Sequence, residues 1–206
     1  MGTTATTAAV PDRTAARAAR ERLGGETDDL LFASHLLSRP DRHRLWVTTT
    51  VLVELATICR SGGESCGGGS CSACDGAEAG NPAAVCTAII DHLLAGEPTG
   101  RPDLDGFAEM AGALSLPRAP LEKFVEASLA FEAIRRVPTW KRLLATVQTI
   151  TDPLGDLAAT VLDLPPTGDD PARRAWQAAL WLRTRLDHLE DDLGAGRLWL
   201  PLDDLV

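Results

Sequence analysis

The stretch that decides the fold lies near the C-terminus, where residues 176–205 read WQAALWLRTRLDHLEDDLGAGRLWLPLDDL. Its leucines recur at helical spacing with charged residues between them, at positions 180, 182, 186, 189 and 193. That pattern predicts an amphipathic helix, which Gly194 would end. Within this helix Thr184, His188 and Asp192 are four residues apart and would share one face. The stretch therefore predicts a helix whose stacked polar side chains can bind a cation.

The rest of the chain has the same helical character. Aromatic residues make up 4% of the 206 residues and tyrosine is absent, so Leu, Ala and Val must build the core, which suits packed helices. No alternating run of β-branched residues is bounded by hairpin turns. Periodicity predicts helices over residues 11–23, 28–37, 41–59, 82–95, 103–113, 118–136, 139–149, 153–163 and 171–193. We therefore expect an all-α fold in which residues 1–206 form a single-domain helical bundle.

Charge and hydropathy argue against two classes of protein. The net charge of −9 disfavours a nucleic-acid partner, because phosphate binding needs clustered Lys and Arg. No uninterrupted apolar run reaches the length of about 20 residues that a transmembrane helix needs. The N-terminal residues lack the apolar region of a secretory signal. We therefore expect a cytoplasmic protein without a transmembrane segment.

Residues 60–80 form a separate segment, RSGGESCGGGSCSACDGAEAG, which we expect to be a flexible loop inserted between two helices. Three of the five cysteines lie in it, Cys66, Cys71 and Cys74. Their close spacing is typical of ligands to zinc or to an iron–sulfur cluster. Cys59 and Cys86 flank the segment on predicted helices, where buried thiols are common. Two interpretations stay open, a metal site and an insertion whose thiols are incidental or redox-sensitive.

Four pieces of sequence, taken in order along the chain, resemble the squalene/phytoene synthase family. They are LFASHLL at residues 31–37, Leu45-Trp46, residues 126–155, and the Asp-Asp, Gly-Arg and Leu-Pro pairs within residues 191–201. The resemblance implies a helical bundle of the isoprenoid-synthase type, in which two acidic motifs face each other across an apolar pocket. Each motif of such enzymes binds Mg²⁺ that holds the diphosphate of a prenyl substrate. The metal neutralises the departing diphosphate, so that a carbocation can form.

The resemblance also assigns site residues in this chain. The implied metal ligands are Glu54, His188, Asp191 and Asp192. Arg197 and Arg136 match positions that would bind the diphosphate of the substrate. No residue is assigned a catalytic role.

The chain departs from the family pattern where the metal would bind. Ile58 stands where the first motif has a second carboxylate, and Phe131 stands where the central helix carries Asp. In the last helix Trp181, Thr184 and His188 replace Gln, Asn and Asp. One interpretation is a reworked, weak Mg²⁺ site, although imidazole favours Zn²⁺ over Mg²⁺. The other is a solvated acidic face on a fold that is retained for binding.

Two classes of function follow. The favoured one is a degenerate relative, a pseudoenzyme whose activity is lost or altered and which binds a prenyl diphosphate or a partner enzyme. It is favoured because Mg²⁺-assisted ionisation needs carboxylates on both walls, and one wall has a single Glu. The alternative is an active Mg²⁺-dependent prenyl-diphosphate transferase or lyase of isoprenoid biosynthesis.

The resemblance carries an expectation about assembly as well. The sequence stops soon after the Leu-Pro pair, where the family continues with further helices. We therefore expect an apolar flank without an internal partner at Leu180, Leu182 and Trp199. Such a flank favours a homodimer or a partner prenyl synthase.

Overall fold

The computed structural model describes residues 10–24, 34–63, 78, 80–164 and 170–201. Within these ranges the chain forms eight helices and no β-strand. In chain order they are α1 (Arg13–Leu23), α2 (Arg39–Ser61), α3 (Pro82–Leu94), α4 (Pro102–Leu114), α5 (Arg118–Glu132), α6 (Trp140–Val161), α7 (Pro171–Leu186) and α8 (Leu189–Gly194). The prediction of an all-α fold is confirmed. None of these eight helices is long and apolar enough to cross a membrane.

Polar side chains cap the starts of five helices. Ahead of α1, Asp12 Oδ1 accepts a hydrogen bond from the Ala15 N–H at 2.7 Å. The same role falls to Ser38, Asn81, Thr139 and Asp170. Proline stands in the first turn of α2, α3, α4 and α7, where its missing N–H has no partner to lose. These local signals explain why most helix starts can be read from the sequence.

Helix α2 lies at the centre of the bundle and packs against α1, α3, α4, α5 and α6. Its fully buried positions are spaced three or four residues apart, at Val47, Val51, Leu55 and Ile58. Burial of each such side chain contributes roughly 1.5–3 kcal/mol. Glu54, an implied metal ligand, lies on the same helix and is also buried. Its charge must therefore be balanced from within the protein.

Helix α6 corrects the prediction of two helices at residues 139–149 and 153–163. It runs unbroken over Trp140–Val161, with Pro153 inside it. A proline in a helix interior removes one backbone hydrogen bond and costs about 3 kcal/mol. The apolar stripe nevertheless continues past the proline, at Leu143, Val147, Ile150, Leu157 and Val161. Because α6 packs against α5, α7 and α2, burial of this stripe offsets the cost.

The single helix predicted over residues 171–193 is in fact two helices. Helix α7 ends at Leu186, and α8 begins at Leu189. Between them the His188 N–H donates to the Arg185 carbonyl at 3.1 Å, a bond to the third residue back rather than the fourth. His188 has a φ of −106° and a ψ of 13°, outside the α-helical range.

This break changes which side chains share a face. Thr184, His188 and Asp192 are not stacked on one continuous helix, so that prediction is wrong. Across this turn the side chains of Arg185 and Asp192 pair at 2.9 Å, and both are buried. This buried ion pair spans the break between the two helices.

Several predictions fall on residues outside the described ranges. The predicted helix 28–37 is described only from Ser34, whose Oγ accepts a hydrogen bond from Trp46 Nε1 at 3.0 Å. Cys66, Cys71 and Cys74 lie wholly outside these ranges. A zinc or iron–sulfur site at these cysteines therefore stays a prediction.

Candidate functional site

Asp192 is the centre of a buried polar network beside the α7–α8 turn. Its Oδ1 accepts hydrogen bonds from Arg185 Nη2 at 2.9 Å, Arg197 Nη2 at 2.7 Å and Arg197 Nε at 3.1 Å. Its Oδ2 accepts a hydrogen bond from Trp199 Nε1 at 2.8 Å. The side chain of Asp192 is 0% exposed, and both of its oxygens are occupied by donors from the chain itself.

A second carboxylate, Glu132 at the end of α5, completes this network. Its Oε1 pairs with Arg185 Nη1 at 2.8 Å, and its Oε2 pairs with Arg197 Nη1 at 3.0 Å. We call these four residues, Glu132, Arg185, Asp192 and Arg197, the Asp192 cluster. Because two carboxylates face two guanidinium groups, the charges of the cluster balance. Such pairs are among the strongest hydrogen bonds in proteins.

Aromatic side chains line one side of the Asp192 cluster. The guanidinium carbon of Arg185 lies 5.0 Å from the centre of the Phe131 ring, within reach of a cation–π interaction. Phe131 meets Trp181 edge to face, with ring centres 4.8 Å apart. Both are positions where the chain departs from the family pattern, and the two departures pack against each other. The apolar wall strengthens the ion pairs, because it lowers the local dielectric.

The other implied metal ligand, Glu54, lies in a separate network. Arg101 forks onto it, with Nη1 to Oε1 at 2.7 Å and Nη2 to Oε2 at 3.1 Å. The same guanidinium donates to Asp103 Oδ2 at 2.6 Å, and Arg22 Nη2 lies 3.9 Å from Glu54 Oε2. We call Arg22, Glu54, Arg101 and Asp103 the Glu54 cluster. It too balances two carboxylates against two guanidinium groups.

The turn ahead of α4 positions Arg101. Asp105 Oδ1 accepts hydrogen bonds from the Thr99 N–H at 2.6 Å and from the Thr99 hydroxyl at 2.7 Å. Gly100 turns the chain with a φ of 78°, a conformation that favours glycine. Arg101 then becomes the residue that precedes the first turn of α4 and reaches across to α2.

Arg101 is a permanent cation within the Glu54 cluster. Burial by itself would lower its pKa, but the hydrogen bonds from Arg101 to Asp103 and Glu54, together with their charges, raise the pKa above its ordinary value. The guanidinium therefore stays protonated at every pH at which the protein is folded. Glu54 faces this fixed positive charge where the family resemblance implies a metal ion.

The four implied metal ligands do not come together. His188 and Asp191 approach each other near the surface, where Nδ1 lies 3.9 Å from Oδ2 and the Asp191 side chain is 79% exposed. Asp192 points inward to its arginines, and Glu54 belongs to a cluster that shares no residue with the Asp192 cluster. In the part of the chain that the structure describes, no three His, Cys, Asp or Glu side chains are grouped as a metal site. Donors of the chain itself occupy the carboxylate oxygens of Glu54 and Asp192, whereas a Mg²⁺ ligand needs an uncommitted carboxylate oxygen.

The two implied substrate-binding arginines differ in environment. Arg197 is nearly buried and committed to Asp192 and Glu132. Arg136 is exposed at the α5–α6 turn, where it forms a backbone bridge with Leu198. Its neighbour Arg135 donates from Nη1 to the Ala195 carbonyl at 3.2 Å. The Gly-Arg-x-x-Leu-Pro segment is thereby held against this turn.

Sequence reasoning missed five of the eight residues that build the two clusters. They are Arg22, Arg101, Asp103, Glu132 and Arg185. Arg185 carries a local signal, because it lies within two turns of Asp192 in an amphipathic pattern. Arg101 and Glu132 carry no signal of this kind, since the partners they meet across the fold, Glu54 and Arg185, are distant in sequence.

The expected apolar flank lies elsewhere. Trp199 is buried and Leu182 packs against the core, so the prediction that they lack an internal partner is wrong. The reason is that the Gly-Arg-x-x-Leu-Pro segment folds back and places the Trp199 indole on Asp192. About half of each side chain is exposed at Trp176, Leu186 and Leu193 instead.

Comparisons with known proteins agree with the fold. The structure is similar to that of squalene synthase HpnC from Alicyclobacillus acidocaldarius, with a TM-score of 0.60 and 19% sequence identity. The match covers 93% of this chain and 66% of that one, so this chain spans slightly less than two thirds of the matched protein's length. No protein-family model matches the sequence, and no curated protein does. The likeness confirms the predicted bundle of the isoprenoid-synthase type.

Proposed function

We propose that this chain is a squalene/phytoene-synthase-like protein that binds a prenyl diphosphate without ionising it. The observation that carries the proposal is the neutralisation of Asp192 and Glu54 by arginines of the same chain. Ionisation of an allylic diphosphate needs metal ions to take up the charge of the leaving group. Carboxylates that are buried against guanidinium groups are not available to bind such metal ions.

The fold and the exposed positive charge support a binding role. Arg135 and Arg136 are exposed beside the 195–198 segment and offer positive charge to a diphosphate. The similarity to a squalene synthase structure supports the choice of a prenyl chain as the apolar part of the ligand. Binding of this kind would use arginine in place of metal.

The test compares binding with turnover. Purified protein is titrated with farnesyl thiodiphosphate, an analogue that resists ionisation, with and without Mg²⁺. Diphosphate release is followed with geranyl, farnesyl and geranylgeranyl diphosphate in Mg²⁺ or Mn²⁺. We expect binding that does not depend on metal, no release, and an unchanged melting temperature on addition of Mg²⁺.

Arginine variants test whether the analogue binds beside the 195–198 segment. Arg136→Gln should weaken analogue binding about tenfold, the effect of one lost charge-assisted hydrogen bond. Arg17→Gln, on an exposed arginine of α1, is the matched control and should bind as the parent does. Metal-dependent release by the parent chain that is kept in Glu190→Gln would overturn the proposal in favour of an active transferase or lyase.

A protein partner, either a second copy of this chain or a partner enzyme, is the second candidate ligand. About half of each side chain is exposed at Trp176, Leu186 and Leu193 on α7 and α8, and such a partner would cover this apolar surface. Sedimentation over a range of concentrations would reveal a homodimer, and Trp176→Glu should dissociate it while Leu36→Glu does not. A monomer at every concentration would argue against self-association.

A further inference from the structure

Two buried thiols, one on α2 and one on α3, lie next to each other on either side of the cysteine-rich segment in sequence. Cys59 lies in the last turn of α2 and Cys86 in the second turn of α3. Their Sγ atoms are 3.9 Å apart, and neither residue is in a disulfide. The Cys86 thiol also donates to the Leu55 carbonyl at 3.8 Å. This contact orients one sulfur beside the other.

We propose that Cys59 and Cys86 form an oxidative modification site, which closes to an intramolecular disulfide that staples α2 to α3. A disulfide needs sulfur atoms about 2.05 Å apart, so each thiol has to move by roughly 1 Å. Rotation about the side-chain bonds can supply such a shift. The inference is independent of the proposed prenyl ligand.

The two helices are already held together at this place. The Gly63 N–H donates to the Ile58 carbonyl at 3.1 Å, which closes the end of α2. A Cβ on Gly63 would lie 3.0 Å from the Pro82 nitrogen, so the end of α2 and the start of α3 are in close contact. The staple would therefore cross-link two helix ends that already lie in contact, and neither helix has to move as a body.

The chemistry balances with hydrogen peroxide as the oxidant. The Cys59 thiolate attacks one peroxide oxygen, giving a sulfenic acid and hydroxide, which is protonated to water. The Cys86 sulfur then attacks the Cys59 sulfur, the S–S bond forms, and the sulfenic oxygen leaves as a second water. Two thiols lose two electrons and two protons, and one peroxide is reduced. Cys59 is the thiol that reacts first, because it lies in the last turn of α2, where a helix opens most readily.

The site differs from an ordinary buried cysteine because a second thiol lies beside the first. A single buried thiol is usually inert toward oxidants. Here any sulfenic acid formed when the end of α2 opens meets a resolving thiol in van der Waals contact. The bond would close a loop between residues 27 apart, which contains the cysteine-rich segment. The disulfide would then link the two residues that flank that segment in sequence.

The test isolates the pair. A variant of the full chain with Cys66→Ser, Cys71→Ser and Cys74→Ser keeps only Cys59 and Cys86. After peroxide treatment and alkylation under denaturing conditions, we expect a mass loss of about 2 Da, no alkylated thiol, and recovery of both thiols with dithiothreitol. The oxidised form should melt roughly 5 °C or more above the reduced form.

Further variants make the result decisive. Cys59→Ser or Cys86→Ser in the same background should show no mass loss and no shift in melting temperature. Peptide mapping of the peroxide-treated parent chain should recover a peptide that links Cys59 to Cys86, which keeps the test valid if the triple variant fails to fold. Two alkylated thiols after treatment, or a bond from Cys59 to a cysteine of the 60–80 segment, would overturn the proposal.

Discussion

The Asp192 cluster and the Glu54 cluster balance buried carboxylates in different ways. Asp192 accepts four hydrogen bonds, and both of its arginines are shared with Glu132. Glu54 depends mainly on one guanidinium, that of Arg101, which also holds Asp103, while Arg22 Nη2 lies farther away, at 3.9 Å from Glu54 Oε2. The first is a closed network, in which the loss of one member strands the others. The second keeps one strong ion pair when Glu54 is lost, so its members should be more tolerant of change.

The largest effect is expected where the closed network is broken. Asp192→Asn removes a charge that two buried arginines share and leaves Glu132 to balance both. Breaking one side of a buried ion pair costs about 3–5 kcal/mol, so the free energy of unfolding should fall by about that amount. Urea denaturation followed by circular dichroism measures the change.

The matched control is the adjacent residue. Asp191→Asn changes the same chemical group on a side chain that is 79% exposed. The free energy of unfolding should change by no more than about 0.5 kcal/mol. Equal losses in the two variants would mean that the inward position of Asp192 is not what stabilises the protein.

A smaller effect is expected at the Glu54 cluster. Glu54→Gln leaves Arg101 paired with Asp103, and the Gln carbonyl can still accept one hydrogen bond. The free energy of unfolding should fall by about 1–3 kcal/mol. Glu109→Gln, on an exposed position of α4, is the control. A loss larger than that of Asp192→Asn would reverse the ranking of the two clusters.

The contrast between local and distant contacts also explains how much of each cluster the sequence predicts. The all-α fold and most helix starts can be predicted, because periodicity and capping are local signals. The break at His188 cannot, since no Gly or Pro marks it. The pairing of Glu54 with Arg101 cannot be predicted either, because the two residues are 47 apart in sequence and meet only when the helices pack. Local patterns cannot predict which distant charges will meet.

The aromatic wall is the next difference between the clusters. Phe131→Leu keeps an apolar side chain but removes the ring beneath Arg185 and the edge contact with Trp181. We expect a loss of about 1–3 kcal/mol, the sum of a cation–π and an aromatic contact. Phe124→Leu, a buried phenylalanine two turns earlier on α5, is the control for lost volume. Equal losses would assign no special role to the contact with Arg185.

The start of α2 offers a contrast from outside both clusters. His43 is nearly buried there and stacks on Trp46, with ring centres 5.7 Å apart. The guanidinium of Arg42 lies 5.5 Å from the centre of the same Trp46 ring. Here a titratable group is surrounded by positive charge, whereas each of the two clusters pairs carboxylates with guanidinium groups.

The smallest effect is therefore a dependence on pH. Burial lowers the pKa of His43 below its ordinary value, and the charges of Arg39, Arg42 and Arg13 lower it further, while the backbone at Pro11 partly opposes them. The unfolded chain then binds a proton more readily than the folded one, so stability is present above the ordinary pKa of about 6.5 and is lost as the pH falls below it. One proton limits the slope to about 1.4 kcal/mol per pH unit. His43→Gln should flatten the fall in unfolding free energy between pH 7 and pH 5 in urea titrations, and an unchanged slope would assign the acid sensitivity to other groups.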